Sequence, residues 1–309
     1  MEKQLTIVIP CFNEEESIPL FFPGLLSFAN EHSFQVIAVN DGSSDHTQEK
    51  LEECARQSES LTVLRHKCNR GYGAAIKSGL EAVQTEYAIT IDADGQHRLQ
   101  DILACFNAIR ETDSDLVVGA RTNHASGSYR KFGKFLIRAF ARSLFSLPVK
   151  DLNSGMKCYR MSETRPYLEL CPDTMAFSDI ILLLMLNDKK KVTETPIEIM
   201  PRNAGKSTIG TVTAMVTITE ILNLSVLLRP LTTFFRFGIV FLVLGLIWGG
   251  YTYWNSNGLS SAAIMLFIFG FFCFILGLLG EQLSQIRKRL AQCARPRAEH
   301  SGRKPDHSA

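Results

Sequence analysis

Short apolar runs alternate with segments of helical periodicity over the first 120 residues of this 309-residue chain. The apolar runs, rich in β-branched residues, predict the strands Leu5–Pro10, Phe34–Asn40, Leu61–Arg65, Tyr87–Asp92 and Leu116–Ala120. The periodic segments predict the helices Ser17–Asn30, Asp45–Ser58, Gly73–Gln84 and Leu99–Glu111. Apolar strands that alternate with helices indicate a mostly parallel sheet covered on both faces, which is an α/β architecture.

A different pattern occupies residues 237–280, which contain no Asp, Glu, Lys or Arg. A membrane-spanning helix needs about 20 apolar residues, so this stretch predicts two transmembrane helices, at about 234–254 and 260–281. Basic residues flank the pair on both sides, whereas the turn between the spans is uncharged. The positive-inside rule therefore predicts that the preceding domain and both termini are cytoplasmic.

The remaining segments predict contacts with a membrane surface. Residues 129–147 mix Arg and Lys with Phe and Leu at helical spacing, which predicts a basic amphipathic helix lying on anionic headgroups. A solvated basic face packed on the sheet is the alternative. Residues 211–233 predict an interfacial helix and linker, with partial insertion of 211–228 left open, and residues 283–309 predict a basic, disordered tail. The first domain would then span residues 1–210.

Cysteine usage and the start of the chain agree with a cytoplasmic location. The eight cysteines form no C-x-x-C pair, which favours reduced thiols over disulfides or a zinc site. No secretory signal pattern precedes the first predicted strand. We expect a membrane as a partner and no nucleic acid.

Polar residues follow four of the predicted strands, at the edge where ligands of parallel sheets bind. They are Asn13-Glu14, Asp41-Gly42-Ser43, Asp92–His97 and Arg121. Asp92 and Asp94 stand one residue apart just after a buried strand, and such paired carboxylates offer the oxygen ligands that Mg²⁺ or Mn²⁺ prefers. An Asp-x-Asp-Gly sequence is also ordinary turn chemistry, so this motif alone does not decide.

Seven motifs in order make the chain resemble the family 2 (GT-A fold) inverting glycosyltransferases. More narrowly, it is similar to the dolichol-phosphate mannose synthases and the bacterial polyprenyl-phosphate glycosyltransferases. The motifs are Ile9–Glu14, Val39–Thr47, Asn69–Ala75, Asp92–His97, Gly119–Arg121, Asn153–Gly155 and Arg202–Ser207. The resemblance implies a GT-A, Rossmann-like cytosolic domain followed by a two-helix transmembrane hairpin.

The resemblance also implies roles for individual residues. Donor-binding residues would be Pro10, Phe12, Glu14, Asp41, Asp92, Ala93 and Arg202. Asp94 and Gln96 would hold Mg²⁺ or Mn²⁺, and the acceptor phosphate would be received by Arg121, Arg130 and Lys134. Of these, Asp92, Asp94 and Arg121 would be catalytic. Phe12 replaces a more usual Tyr, and Asn40 replaces an acidic residue that is frequent in the family.

The implied reaction moves a single hexose from a nucleotide-diphosphate sugar to undecaprenyl or dolichyl phosphate, at the cytoplasmic face of the inner membrane. A phosphate monoester has a second pKa of about 6 and is already anionic, so it needs little help from a general base. Cations that collect two anionic substrates matter more. Two spans are too few to flip the lipid, so we expect a separate downstream flippase.

Two other functions are considered. A processive polysaccharide synthase would carry a Q-x-x-R-W motif and enough spans for a polymer channel, and the sequence has neither. A catalytically silent membrane scaffold that binds nucleotide-sugar would be favoured by loss of Asp92 or Asp94, and both are present. The donor could be UDP-glucose, UDP-N-acetylglucosamine or GDP-mannose.

Overall fold

The structure is a computed structural model. It describes most of the α/β region, in two stretches separated by a gap, and most of the apolar C-terminal region. The described residues are 4–122, 149, 151, 154–200, 219, 222–223, 225–226, 229–256, 258 and 260–294. The chain divides into two units, Met1–Leu222 and Asn223–Ala309. The predicted amphipathic helix at 129–147 lies outside the described residues, as does most of 211–228.

Strands and helices alternate over residues 5–121 of the first unit, and all nine elements predicted from the sequence are confirmed within two residues at each end. The strands are β1 Leu5–Cys11, β2 Gln35–Asn40, β3 Leu61–Arg65, β4 Tyr87–Thr90, β5 Leu116–Arg121, β6 Lys157–Arg160 and β7 Val192–Ile197. The helices are α1 Ile18–Glu31, α2 Thr47–Gln57, α3 Tyr72–Ala82, α4 Leu99–Glu111, α5 Met161–Leu168 and α6 Phe177–Asn187.

The strands form a seven-stranded sheet in the order β3-β2-β1-β4-β6-β5-β7. Neighbouring strands are parallel except at β6, which is antiparallel to both β4 and β5. The prediction of a mostly parallel sheet is therefore confirmed. β6 was not predicted, because a four-residue strand with a charged residue at each end gives little periodic signal.

The core lies on both faces of the central strands. Ile7 and Val8 of β1, whose side chains point to opposite faces of the sheet, are both fully buried, as are Ile89 of β4 and Val117 of β5. Burying a side chain of this size contributes about 1.5–3 kcal/mol. The first nine residues of α6, Phe177–Met185, are all buried, so this helix is enclosed rather than amphipathic. A polar residue in α6 is consequently removed from water.

The second unit consists of two long apolar helices, α7 Pro230–Ser256 and α8 Ser261–Ala294. Within them, Pro230–Asn255 and Ser261–Ile286 are long and apolar enough to cross a membrane, and only 17% of each most apolar window is buried in the protein. Both helices begin or end beyond the predicted spans. Residues 283–294 were predicted to be a disordered tail, and this is wrong, because α8 continues to Ala294. Leu283, Ile286 and Leu290 recur there at helical spacing among good helix formers.

Small residues let the two apolar helices approach closely. A Cβ atom on Gly270 would lie 2.8 Å from Leu242 Cγ and 3.0 Å from the carbonyl oxygen of Gly238. A Cβ on Gly238 would likewise lie 2.9 Å from the carbonyl oxygen of Gly270. Such backbone contacts at small residues are what packs helices in lipid, where no hydrophobic effect drives them together.

Replacing Gly270 by Ile should therefore weaken the packing of α7 on α8. The control is Gly250→Ile, because a Cβ at Gly250 meets no atom of the described residues within 4 Å. The chain's two tryptophans, Trp248 and Trp254, both lie in α7, so tryptophan fluorescence reports on this hairpin. In detergent, Gly270→Ile should lower the fluorescence melting temperature by several degrees more than Gly250→Ile. Equal melting temperatures for the two variants would contradict the close packing at Gly270.

Candidate active site

The candidate site lies at the carboxyl edge of the sheet, where four strands end on the same side. β1, β2 and β4 are parallel neighbours, and β5 runs in the same direction because β6 is antiparallel to both β4 and β5. At the edge, the backbone N–H of Asp41 donates to the carbonyl of Cys11 at 2.9 Å. The loops that follow these strands therefore start side by side, as the sequence predicts.

The loops after β1 and β2 are tied together by side-chain hydrogen bonds. The N–H of Asn13, a residue with φ of +53°, donates to Ser43 Oγ at 3.0 Å. The N–H of Glu14 donates to Thr47 Oγ1 at 2.8 Å. Between the strand and these bonds, the side chain of Phe12 is 45% exposed. The two loops thus form one wall that presents an aromatic ring to solvent.

Asp41 lies under this wall and organises the neighbouring loop. Its Oδ1 accepts a hydrogen bond from the N–H of Arg70 at 2.9 Å, and its Oδ2 accepts one from the N–H of Gly71 at 2.8 Å. His66 Nδ1 lies 2.6 Å from Oδ1. The residue is only 3% exposed. Asp41 therefore fixes residues 66–71 against the end of β2, a structural role that the sequence did not reveal.

The carboxylate of Asp92 is held from three sides. Tyr72 at the start of α3 donates its hydroxyl to Oδ1 at 3.0 Å, and His97 Nε2 lies 3.6 Å from Oδ2. On the third side, a Cβ added to Gly155 would lie 2.6 Å from Oδ2, so only glycine allows this approach. The side chain of Asp92 remains 38% exposed. It is thus fixed in direction and still accessible.

The electrostatic surroundings of Asp92 favour its charged form. Partial burial disfavours the charge, but the interactions with His97 and Tyr72 and the positive charge of Arg121 outweigh it, so the pKa of Asp92 is lowered. Asp92 is consequently an anion at neutral pH. The influence of Arg121 also means that the ends of β4 and β5 are close enough to interact.

The loop after Asp92 turns sharply and presents a second carboxylate. Gly95 has φ of +70°, and the N–H of Gln96 donates to Asp94 Oδ1 at 3.1 Å. Asp94 is 9% exposed, and Ala93 between the two carboxylates is buried. Gln96 is joined to Met200 twice, through Met200 N–H to the Gln96 carbonyl at 2.9 Å and Gln96 Nε2 to the Met200 carbonyl at 3.3 Å. Met200, the last described residue before Arg202, therefore lies beside this loop.

The donor set of this loop fits Mg²⁺ or Mn²⁺. Asp92, Asp94 and Gln96 offer oxygen atoms, and Mg²⁺ is usually bound by one or two carboxylates together with substrate phosphates and water. Within the described ranges, no three His, Cys, Asp or Glu side chains come together as a metal cage. These residues therefore suit an ion that shares its coordination with a phosphorylated ligand, rather than a permanently enclosed metal.

Arg121 at the end of β5 forms an ion pair with Asp151. Arg121 Nε donates to Asp151 Oδ2 at 2.7 Å, and Arg121 Nη2 donates to Oδ1 at 2.8 Å. Burial raises the pKa of Asp151, but Arg121 overcomes this and lowers it to about 2. Burial likewise disfavours the charged guanidinium, yet Asp151 raises the pKa of Arg121. A bidentate ion pair of this kind fixes the plane of the guanidinium group. The Arg121 side chain remains 22% exposed.

The structure thus brings most of the predicted site residues to one edge of the sheet. The remaining ones lie outside the described residues. Asp92, Ala93, Asp94, Gln96 and Arg121 surround one part of the edge, and Phe12, Glu14 and Asp41 lie along its β1–β2 part. Pro10 pairs with Val39 inside β1 and β2. Arg130, Lys134 and Arg202 lie outside the described residues.

Sequence reasoning assigned no role to Tyr72, Asp151 or Gly155. Tyr72 and Gly155 stand in motifs that were noticed, Asn69–Ala75 and Asn153–Gly155, but their contacts with Asp92 join positions far apart in the chain. Asp151 gave no signal, because a single carboxylate outside the predicted strands and helices belongs to no periodic pattern. Only the folded chain shows that it pairs with Arg121.

Comparison with known proteins assigns the family. The sequence profile of "Glycosyl transferase family 2" matches residues 6–162, which is just over half of the chain. The chain belongs to glycosyltransferase family 2. A second profile, the "GtrB C-terminal hairpin", matches residues 229–286, and this range contains both segments that are long and apolar enough to cross a membrane, Pro230–Asn255 and Ser261–Ile286.

Curated relatives match nearly the full length of the chain. An undecaprenyl-phosphate 4-deoxy-4-formamido-L-arabinose transferase of Photorhabdus laumondii is 28% identical over 310 aligned residues, covering 96% of this chain and 92% of that protein. The enzyme of the same name from Yersinia pestis is 27% identical with the same coverage. The resemblance to bacterial polyprenyl-phosphate glycosyltransferases is therefore confirmed.

Solved structures share the fold of the glycosyltransferase domain. Glucosyl-3-phosphoglycerate synthase from Mycobacterium tuberculosis, in complex with Mg²⁺ and UDP, superposes with a TM-score of 0.56 at 14% identity, covering 72% of this chain and 79% of that one. S. aureus TarS in complex with UDP-GlcNAc gives 0.52 at 16% identity, with coverage of 72% and 65%. The predicted GT-A architecture is confirmed.

Gly155→Ala should lower glycosyl transfer at least tenfold, because the new Cβ would displace the carboxylate of Asp92. Gly24→Ala is the control, since a Cβ at Gly24 has no neighbouring atom within 4 Å in the described part of the chain. Transfer rates and melting temperatures of both variants provide the measurement. A Gly155→Ala enzyme that is as active as Gly24→Ala would show that the position of Asp92 does not depend on Gly155.

Asp151→Asn should destabilise the protein at pH 7 by about 2 kcal/mol, because the lowered pKa of Asp151 means that its charged form stabilises the fold. This stabilisation is present above the ordinary pKa of 3.8 and is lost as pH falls to about 2. In urea titrations followed by circular dichroism, the wild type and the variant should therefore converge between pH 4 and pH 2. A difference that is constant over this range would contradict the ion pair with Arg121.

Proposed function

We propose that this protein is a membrane-bound, inverting glycosyltransferase that moves one sugar from a nucleotide-diphosphate donor to a polyprenyl phosphate. One observation carries the proposal: two kinds of charged group lie at the same edge of the sheet. They are the immobilised carboxylates after β4 and the arginine at the end of β5, which an ion pair with Asp151 holds in place. The first suits a metal-bound diphosphate, and the second suits a phosphate. The reaction requires both anions to be held at one place.

The donor would bind along the edges of β1, β2 and β4. Phe12 is exposed beside the β1–β2 loops, where an aromatic ring can support a nucleotide base, and Pro10, Glu14 and Asp41 would complete this pocket. Asp92 and Ala93 would hold the sugar-nucleotide, while Asp94 and Gln96 would hold Mg²⁺ or Mn²⁺. Arg202 would meet the diphosphate; it follows Met200 by two residues, a reach of about 7 Å from the contact with Gln96.

The acceptor phosphate would be received by Arg121, with Arg130 and Lys134 from the basic segment after β5. Asp151 fixes the guanidinium of Arg121 before the substrate arrives, so little ordering remains when the lipid phosphate binds. A phosphate oxygen then attacks the anomeric carbon on the face opposite the departing diphosphate. The new carbon–oxygen bond forms as the old one breaks, which inverts the anomeric configuration.

Charge develops on the nucleoside diphosphate as it departs. A divalent ion bound at this site would neutralise part of this negative charge. Asp92 and Asp94 keep their place in the loop because Tyr72, Gly155 and the N–H of Gln96 hold them. No carboxylate base is required, because the acceptor phosphate is already an anion near neutral pH.

The apolar hairpin explains why the enzyme would act on a lipid. A polyprenyl tail stays in hydrocarbon, so an enzyme with a membrane anchor meets its head group at the surface. The relatives are named as undecaprenyl-phosphate transferases, which favours undecaprenyl phosphate as the acceptor here. We infer an inner-membrane location with the catalytic domain and both termini in the cytoplasm, and a separate flippase that acts on the product.

The identity of the sugar rests on the relatives' names. They transfer 4-deoxy-4-formamido-L-arabinose, which is a pentose, whereas the sequence motifs favoured a hexose. The donor panel therefore includes UDP-glucose, UDP-N-acetylglucosamine, GDP-mannose and the UDP form of 4-deoxy-4-formamido-L-arabinose.

Transfer of radiolabelled sugar tests this function directly. Detergent-solubilised protein is incubated with undecaprenyl phosphate, Mg²⁺ or Mn²⁺, and each donor in turn, and the organic extract is counted. One donor should give lipid-linked label, and Asp94→Ala should lower the rate at least a hundredfold. Addition of EDTA should abolish transfer, and excess Mg²⁺ should restore it.

The outcomes separate this function from the alternatives. A product that carries several sugars would favour a processive synthase. Nucleotide binding without transfer from any donor would favour a silent scaffold. Label that appears equally with wild type and Asp94→Ala would contradict the role of the Asp92–Gln96 loop.

A further inference from the structure

A lysine is completely buried directly behind the candidate site. Lys157 begins β6, where it pairs with Thr90 of β4 on one side and Val118 of β5 on the other. Its exposed fraction is 0%. Removing an ammonium group from water costs several kcal/mol unless it is paired and hydrogen-bonded, so a lysine at this position calls for a physical explanation.

The ammonium group of Lys157 holds the turn that borders Asp92. Lys157 Nζ donates to the carbonyl of Ser154 at 2.5 Å, and Ser154 is itself fully buried. The next residue, Gly155, accepts a hydrogen bond from Thr90 Oγ1 at 2.8 Å and faces the carboxylate of Asp92. The 2.6 Å separation between a hypothetical Gly155 Cβ and Asp92 Oδ2 shows how directly this turn limits the side chain.

Charges around Lys157 keep it protonated. Burial lowers the pKa of Lys157 to about 8, and the carboxylates of Asp179 and Asp151 act against a larger decrease. Asp179 lies in the enclosed helix α6, and within the described part of the chain neither of its carboxylate oxygens has a hydrogen-bond partner. Burial raises the pKa of Asp179 to about 6, and the charge of Lys157 acts in the opposite direction. At neutral pH, the opposite charges of the two groups therefore stabilise each other inside the fold.

We propose that Lys157 is a positioning residue for the donor site: its ammonium group holds the carbonyl of Ser154, and the Ser154–Gly155 turn in turn fixes the carboxylate of Asp92. Asp179 supplies the countercharge that retains the ammonium in the core. Neither residue touches the substrates. The inference rests on the proposed donor role of Asp92 and adds the element that sets its position.

The test replaces Lys157 by Met, which keeps the length of the side chain and removes its charge and hydrogen bond. Because this leaves the charge of Asp179 uncompensated, the double variant Lys157→Met/Asp179→Leu is prepared in parallel; buried groups of opposite charge that are replaced together by hydrophobic residues of similar volume commonly leave a fold stable. Lys77→Met is the matched control, since Lys77 also donates to a backbone carbonyl, that of Cys171 at 3.0 Å, and pairs with Asp173.

Two readouts are taken on the full-length protein in detergent. Calorimetry with Mn²⁺ and either UDP or GDP measures nucleotide binding, and steady-state kinetics with the active donor measures KM and kcat. The double variant should melt within a few degrees of the wild type. It should bind nucleotide at least tenfold more weakly and show a tenfold higher donor KM, with the KM for undecaprenyl phosphate unchanged and kcat within threefold. Lys77→Met should match the wild type in all of these.

Any one of four results would overturn the inference. Nucleotide binding by the folded double variant that equals that of the wild type would show that Lys157 does not position the donor site. An equal rise in the KM values for donor and acceptor, or the same loss in Lys77→Met, would indicate a general structural effect. If the wild type binds neither nucleotide, the donor role of Asp92 is wrong, and the inference fails with it.

Discussion

The site depends on the immobilisation of one carboxylate, that of Asp92. An aspartate at the end of a strand can rotate freely in water, and the loss of that freedom is what makes it a useful ligand. Tyr72 binds one oxygen, His97 approaches the other, and Gly155 closes the remaining side. These three residues come from different parts of the sequence, so the constraint exists only when the whole sheet is assembled.

The order of strands explains how these parts meet. β6 is inserted between β4 and β5 and runs against them, so the turn that precedes β6 arrives at the same edge as the ends of β4 and β5. Gly155 therefore reaches Asp92, and Asp151 reaches Arg121. One antiparallel strand within an otherwise parallel sheet links the proposed donor and acceptor halves of the site.

The sequence predicts the regular parts of this protein well. Near-continuous apolar strands and helical periodicity define nine elements, and the charge-free stretch defines the apolar hairpin, since both patterns follow directly from burial or transfer into lipid. β6 has no such pattern, and the end of α8 was misplaced because basic residues at 287–289 hide helix-forming residues around them. Charge alone does not end a helix.

The residues of the candidate site also fall into two groups, those that the sequence reveals and those that only the fold reveals. Asp92, Asp94 and Arg121 could be found because motifs at strand ends are local in sequence. Tyr72, Asp151 and Lys157 could not, because their importance lies in contacts across long separations in the chain. Asp41 shows a related limit: its motif is visible, yet only the fold reveals that both of its oxygens already hold the loop at Arg70 and Gly71.

The central claim is that the loop Asp92–Gln96 binds a divalent ion together with a nucleoside diphosphate. Electron paramagnetic resonance of Mn²⁺, titrated into the full-length protein with and without UDP or GDP, tests this claim most directly. One Mn²⁺ per chain should bind in the presence of nucleotide, and Asp94→Ala should abolish this binding while Asp113→Ala, at a distant exposed carboxylate, leaves it intact. Nucleotide-dependent Mn²⁺ binding that survives Asp94→Ala would contradict the account.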